Sequence, residues 1–251
     1  GLTEAERQRH MYVIGGTGNG KTTMLKYQIV QDIQNGKGVA LVDPHGDLSE
    51  ELLGLIPEHR IKDVIYVNPL DLDRPVRINL LEMKPAANGK PKTGNDLILE
   101  KDDVAHNAMS ILRKIFSEDD TGGHRVEHVL RNTIHTALTL PEANLFTLFR
   151  LLHETKFRAS VLSKMDDEEY KDLKSFWKEE IGKAGDMQRV KMSAGITSKI
   201  GRFLFSGTAK AMMEQNKSTI DFEDILDSKK ILICNLRLCS SIMDNFKIRK
   251  I

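Results

Sequence analysis

Apolar and polar positions divide the chain into a part that mixes two periods and a part that keeps one. In the first third, short apolar runs alternate with stretches of helical spacing. Met11-Tyr12-Val13-Ile14 reads as a buried strand, and residues 22–35 carry Leu25, Ile29 and Ile33 on one helix face before Gly36 stops it. Gly38-Val39-Ala40-Leu41-Val42-Asp43 is a second apolar strand, closing on the turn Pro44-His45-Gly46. Asp47 is placed to cap a helix through about Ile56, which Pro57 ends. Val64-Ile65-Tyr66-Val67 is a third strand, ended by Asn68-Pro69. This βαβαβ rhythm predicts a parallel sheet with covering helices, an α/β fold.

From Leu97 to Met213 only the helical period survives. Helices are expected at 97–117, 125–140, 145–153, 156–164, 167–181 and 187–205, with breaks at Thr121-Gly122-Gly123, Pro141 and Gly182. This stretch reads as an all-α insertion. Residues 84–95, rich in Pro, Gly, Asn and Lys, read as a flexible connection into it. Strand character returns at Lys230-Ile231-Leu232-Ile233-Cys234-Asn235-Leu236, after a short helix from Phe222 to Leu226, and that strand is expected to rejoin the sheet.

Composition adds limits. At 251 residues the chain is long enough for a substantial core, in one or two domains. A formal net charge of +1 offers no general attraction to nucleic acid, so any contact with DNA must come from a local patch or from assembly. Cys234 and Cys239 fit no zinc spacing and read as reduced thiols. No apolar run approaches the ~18 residues of a membrane span, and no signal peptide is present. Gly1 stands about ten residues before the first apolar run, which suggests a fragment of a longer product.

The chemistry concentrates near the amino end. Gly15-Gly16-Thr17-Gly18-Asn19-Gly20-Lys21-Thr22 fits the phosphate-loop pattern G-x-x-x-x-G-K-[ST], followed by Thr23. The bare pattern arises by chance in roughly 1% of chains this long, so its position between an apolar run and a helix start decides the matter. Glycines let backbone N–H groups converge on phosphate oxygens, and the helix dipole adds favourable potential. Lys21 is expected to reach the β- and γ-phosphates of ATP, and the Thr22 hydroxyl to hold Mg²⁺. Asp43, at the carboxyl end of an apolar strand, is a candidate catalytic or nucleotide-sensing acid; a plain turn residue before Pro44 explains it equally well.

Other motifs have bland readings. His124-Arg125-Val126-Glu127-His128 matches H-x-x-E-H, the inverted zinc-protease pattern, but lies on an amphipathic helix with Val126, Leu130, Ile134 and Leu138 as its buried stripe. Asp166-Asp167-Glu168-Glu169 suits a helix first turn. Trp177, with Phe176, suits packing rather than base stacking. Lys247-Ile248-Arg249-Lys250 suits a solvated terminus. Hydrolysis in most phosphate-loop motors also needs an apolar strand ending in Asp, often followed by Glu. Here only Val42-Asp43 ends in an acid, so nucleotide binding without efficient turnover is expected.

Several segments together resemble the ATPase domain of type IV coupling proteins, conjugative DNA-transfer members of the FtsK–HerA superfamily of P-loop motors. They are His10 to Gly15 with the loop, Gly38 through Asp43-Pro44-His45-Gly46-Asp47-Leu48, Ile56-Pro57 with Arg60-Ile61, and Asp63 to Tyr66. Arg74-Pro75-Val76, Asn79-Leu80-Leu81, Glu127 to Asn132, Ile200 to Leu204, Lys217 to Asp221, Lys230 to Ile233 and Asn235-Leu236 complete the set. The resemblance implies a RecA-like nucleotide-binding domain, residues 1–96 and 217–251, interrupted by an all-α domain, residues 97–216, with the return part truncated. It implies ATP and Mg²⁺ as cofactors, homo-hexameric rings passing DNA through a channel, and relaxase or type IV secretion channel proteins as partners. It also implies a cytoplasmic location, at the inner face of a membrane in a longer form. The acidic strand pair and the arginine acting in trans would lie beyond this chain. Two alternatives stand beside it: a non-hydrolysing, nucleotide-gated protein-binding module, and a type IV secretion ATPase acting on proteins.

Overall fold

A computed structural model describes residues 3–7, 9–116, 123–183, 196, 200–201 and 206–237. The chain divides into two compact units, residues 1–70 with 221–251, and residues 71–220.

The first unit is α/β. After a single helical turn, α1 (Glu4–Arg7), come α2 (Lys21–Gln34), β1 (Val39–Asp43), α3 (Asp47–Leu53), a 3-10 turn at Glu58–Asp63, β2 (Val64–Val67), and later a short helix at Phe222–Asp227 before the last strand. That strand, β3 (Ile231–Asn235), lies between the other two in the order β1-β3-β2, and both pairings are parallel. Asp43 pairs with Asn235 in register, and Val67 with Cys234. Alternate positions of the strands face α2 and α3, where Ile33, Leu48, Leu52, Ile231 and Ile233 form the core with Val39, Leu41, Val64 and Tyr66 against it. The fold class is thus the parallel α/β arrangement that the residue pattern predicts, and it is consistent with the RecA-like domain that the resemblance implies.

One end of the sheet is tied together by Arg60, which is 7% exposed. Its guanidinium donates to the carbonyls of Ile33 and Lys229, 2.9 Å each, and to Asp63 at 2.7 Å. The carboxyl end of α2 therefore sits at the amino edge of the sheet, beside the residues that lead into β2 and β3.

Three expectations are corrected here. Met11–Ile14 is not a buried strand: no described residue offers it a ladder, and Tyr12 and Ile14 are 89% and 80% exposed. An apolar run becomes a strand only where an edge is free to pair with it, and His10, at φ 64°, turns the chain just before this one. Asp47 does not cap α3; Gly46 holds the cap position in the left-handed region, and Asp43 receives the first-turn amide of Ser49 at 2.9 Å. Gly38 stays outside β1 because its backbone packs on Lys229, whose Cα lies 2.9 Å from an ideal Cβ position.

The second unit contains only helices among its described residues: α4 (Gly94–Phe116), α5 (Gly123–Ala137), α6 (Leu145–His153), α7 (Thr155–Lys164), α8 (Lys171–Ser175) running into a π-helical turn at Phe176–Ile181, and α9 (Gly207–Met213). In unit one the helix Phe222–Asp227 is α10. The core of the second unit runs from Leu81 through Ala108, Leu112, Leu130, Ile134, Leu148 and Leu151 to Trp177. Asn79 anchors the segment before α4: its amide group donates to the carbonyls of Ala143 and Asn216 at 2.8 and 2.9 Å. Residues 84–95 are not a loose tether, since Glu100 accepts from the Lys84 amide and pairs with Lys92. The helix expected at 167–181 begins only at Lys171, because Asp166 accepts from the amides of Glu168 and Glu169 and closes a turn instead. The π-helical turn lets the consecutive residues Phe176 and Trp177 both face the core. The helix expected at 187–205 lies outside the described residues except at Ile196, Ile200 and Gly201, which are helical, with both isoleucines buried.

Candidate nucleotide-binding site

The loop Gly15–Gly20 feeds directly into α2, whose first residue is Lys21. Gly18 and Gly20 hold φ values of 85° and 77°, which a residue with a Cβ adopts only under strain, and a side chain at either would meet only open space. Asn19 donates its amide to the Gly16 carbonyl at 3.3 Å, closing the loop into a tight turn. The Lys21 ammonium folds back over it and donates to the carbonyls of Gly15 and Gly16 at 2.6 and 2.7 Å. Thr22 and Thr23 are exposed on the first turn of the helix. The first amides of α2 have no partner within the helix, so they face outward as donors.

Those residues suit a triphosphate and its cation. No acid stands between Gly15 and Thr23 to repel phosphate. The stretch offers backbone donors, one ammonium and threonine hydroxyls, the kinds of group that phosphate and Mg²⁺ require.

Asp43 ends β1 at the carboxyl edge and is 7% exposed. Its carboxylate accepts from the His45 amide at 3.0 Å, the Ser49 amide at 2.9 Å and the Ser49 hydroxyl at 3.2 Å. Burial alone would raise its pKa, but the amides of Ser49, Gly46 and His45 and the Ser49 hydroxyl outweigh that and hold it below the usual carboxylate range. The acid is therefore ionised and committed to the turn. Beneath that turn lies Asn235, whose side-chain amide donates to the Tyr66 hydroxyl at 2.9 Å and whose oxygen accepts from the Arg237 amide at 3.2 Å. The same oxygen lies 2.6 Å from where a Cβ on Gly46 would stand, and Gly46 has φ 87°. Glycine is required there on both counts. Residue pattern alone marks Asn235 only as a strand end without an acid; its contact with the turn exists only once β1 and β3 pair.

The phosphate loop and the Asp43 turn share one edge of the sheet. With the carboxyl end of α2 fixed at the amino edge by Arg60, its amino end points to the carboxyl edge, where α3 also starts. Lys26, five residues into α2, bonds Glu51, four residues into α3, at 2.7 Å. That bond ties the second turn of α2 to the second turn of α3.

Other candidates resolve differently. Glu127 of the H-x-x-E-H run pairs with Arg113 and Arg131, and His128 with Glu180 at 3.1 Å. Among the described residues no group of three His, Cys, Asp or Glu could hold a metal. Trp177 is buried and donates to the Thr136 hydroxyl at 2.8 Å, a packing role. Cys234 is a half-buried free thiol whose pKa burial pushes up, so it is poorly reactive. Cys239 and Lys247–Lys250 lie outside the described residues, and no described helix is long and apolar enough to cross a membrane.

No curated protein and no solved structure matches the chain. The family described as "Helicase HerA, central domain" matches it over residues 6–247, a span that takes in the phosphate loop, the Asp43 turn, the helical unit and β3. The loop at the start of α2, the parallel sheet and that match agree: the chain belongs to the HerA helicase central-domain family of P-loop ATPases.

Proposed function

We propose that this chain is the ATP- and Mg²⁺-binding part of a DNA-translocating ATPase, of the kind that type IV coupling proteins exemplify. The observation that carries it is the loop Gly15–Gly20 with Lys21 poised over it at the start of α2. In this reading backbone amides of the loop, from Gly16 to Thr23, and the Lys21 ammonium hold the phosphates, while the Thr22 hydroxyl holds Mg²⁺. The bound cation would neutralise charge between the phosphates. Asp43 acts indirectly, by fixing the turn beside the loop. The domain division 1–96, 97–216 and 217–251, the homo-hexameric ring, DNA as cargo, relaxase or secretion-channel partners and a cytoplasmic location at the face of a membrane belong to the same proposal, supported by the family and the resembling segments.

A second reading has one observation in its favour. Of the three described strands only β1 ends in an acid, and its oxygens are occupied by the turn. A nucleotide-gated binding module that does not hydrolyse would look the same. Nucleotide binding without DNA-stimulated hydrolysis in a longer form of the protein favours the module; stimulation favours the motor. Absence of salt-dependent DNA binding would point instead to a secretion ATPase acting on proteins.

The site itself is tested by melting. ATP with Mg²⁺ at about 100 times Kd stabilises a binding protein by ~2.7 kcal/mol. That corresponds to roughly 5–10 °C for a chain of this size. Lys21→Ala should remove most of the shift. An unshifted parent protein refutes the site.

A further inference from the structure

We propose that His45 donates a hydrogen bond to the terminal phosphate of the bound nucleotide, and so makes the site distinguish a nucleoside triphosphate from a diphosphate. This rests on the nucleotide-binding reading of the loop. Three observations lead to it.

The first is position. The Lys26–Glu51 bond links the early turns of α2 and α3, and both helices start toward the carboxyl edge of the sheet, the one after the phosphate loop and the other after the turn Pro44–Gly46. Ligands of open parallel sheets collect at that edge. Lys21 reaches toward the β- and γ-phosphates. The end of the phosphate chain is therefore the part of the nucleotide nearest a neighbouring turn.

The second is rigidity. The His45 amide is held by Asp43 at 3.0 Å, and Gly46 beside it is seated on the Asn235 oxygen. Asn235 is itself fixed by the Tyr66 hydroxyl and the Arg237 amide. Residues from all three strands thus hold one turn. So much buried polar structure beneath a surface turn fixes where residue 45 stands, as a site for a small charged group requires.

The third is that the side chain so placed is uncommitted. His45 is exposed, and its imidazole has no hydrogen-bond partner among the described residues. The His45 and Gly46 amides and the Gly46 carbonyl, by contrast, are used by the fold. An imidazole N–H is a good donor to a phosphate oxygen in either protonation state, since one ring nitrogen always carries hydrogen.

The test measures affinity in the full chain for a nonhydrolysable ATP analogue and for ADP, each with Mg²⁺, in the parent, His45→Ala, His45→Gln and Lys21→Ala. A hydrogen bond to a charged group corresponds to roughly a ten- to hundredfold change in affinity. His45→Ala should weaken the triphosphate analogue by about that factor and leave ADP within about twofold, and His45→Gln, which keeps a donor, should restore part of the loss. The His45 imidazole resonance should move with the analogue and stay in place with ADP. Equal loss for both nucleotides, or no loss, overturns the assignment while Lys21→Ala still reports a working loop. A parent that binds neither nucleotide overturns the loop and the histidine together.

Discussion

Arg60 and Lys229 stand 169 positions apart in the chain, and the guanidinium of the first meets the carbonyl of the second at 2.9 Å. The same group reaches Ile33 at the end of α2, so one buried cation closes the amino edge of the sheet. It also orients α2, and through α2 the phosphate loop.

Removing that cation should loosen the whole first unit. Arg60→Ala leaves the Lys229 carbonyl without this donor and takes one of two from the Ile33 carbonyl, which keeps the Gly36 amide at 3.1 Å, so a loss of about 1–3 kcal/mol is expected. Arg60→Lys should recover little, because one ammonium cannot reproduce a fork that serves the carbonyls of Ile33, Lys37 and Lys229 together with Asp63. Urea unfolding followed by circular dichroism reads the effect. Parent-like stability in either variant would remove Arg60 from its role.

Gly46→Ala tests the seat of the turn. The residue has φ 87°, and its added methyl would stand 2.6 Å from the Asn235 oxygen. Strain in the left-handed region costs ~1–2 kcal/mol, and the collision adds to it. Asn235→Ala removes the obstacle but not the strained φ. The double variant should therefore be more stable than the sum of the two single losses predicts, by more than about 0.5 kcal/mol. Strict additivity would show that the two residues do not meet.

Asp43 carries a pH dependence. Its folded-state pKa lies below the unfolded value of ~3.9, so ionisation favours folding above that value, and the contribution is lost as pH falls through the folded one. Asp43→Asn should cost roughly 1.5–3 kcal/mol at pH 7, because an amide donor then confronts backbone N–H groups. The gap between parent and variant should narrow below about pH 4. Paired urea melts at pH 7 and pH 3 measure it; a gap unchanged by pH would contradict the hydrogen bonds assigned to the carboxylate.

In the helical unit, Trp177→Phe keeps most of the ring but removes the donor to the Thr136 hydroxyl, which is itself buried. A loss of ~1–2 kcal/mol is expected. Thr136→Val removes the acceptor, and the pair should couple in a double-mutant cycle by at least about 0.5 kcal/mol. No coupling would mean that the tryptophan acts through packing alone.

Short-range pattern was enough for much of this protein. The spacing of apolar residues located α6 and β2 as they stand, and β1, β3, α2, α3, α4, α5, α7 and α10 to within a few residues; α1 and α9 it did not mark. A helix face or a parallel strand is a local regularity, written in residues three, four or two apart. The candidate phosphate loop was legible for the same reason, since its glycines, lysine and threonine fall within eight consecutive positions. What sequence alone did not determine depends on partners distant in the chain. Met11–Ile14 is apolar enough for a strand, yet whether a ladder forms depends on an edge elsewhere. That Asp43 accepts from the amides of Ser49 and His45 is likewise a matter of where α3 and the turn place them. Asn235 and Arg60 become informative only when parallel pairing brings β3 between β1 and β2. Tertiary structure decided these, because a buried polar group takes its meaning from the partner that satisfies it, and that partner can lie anywhere in the chain.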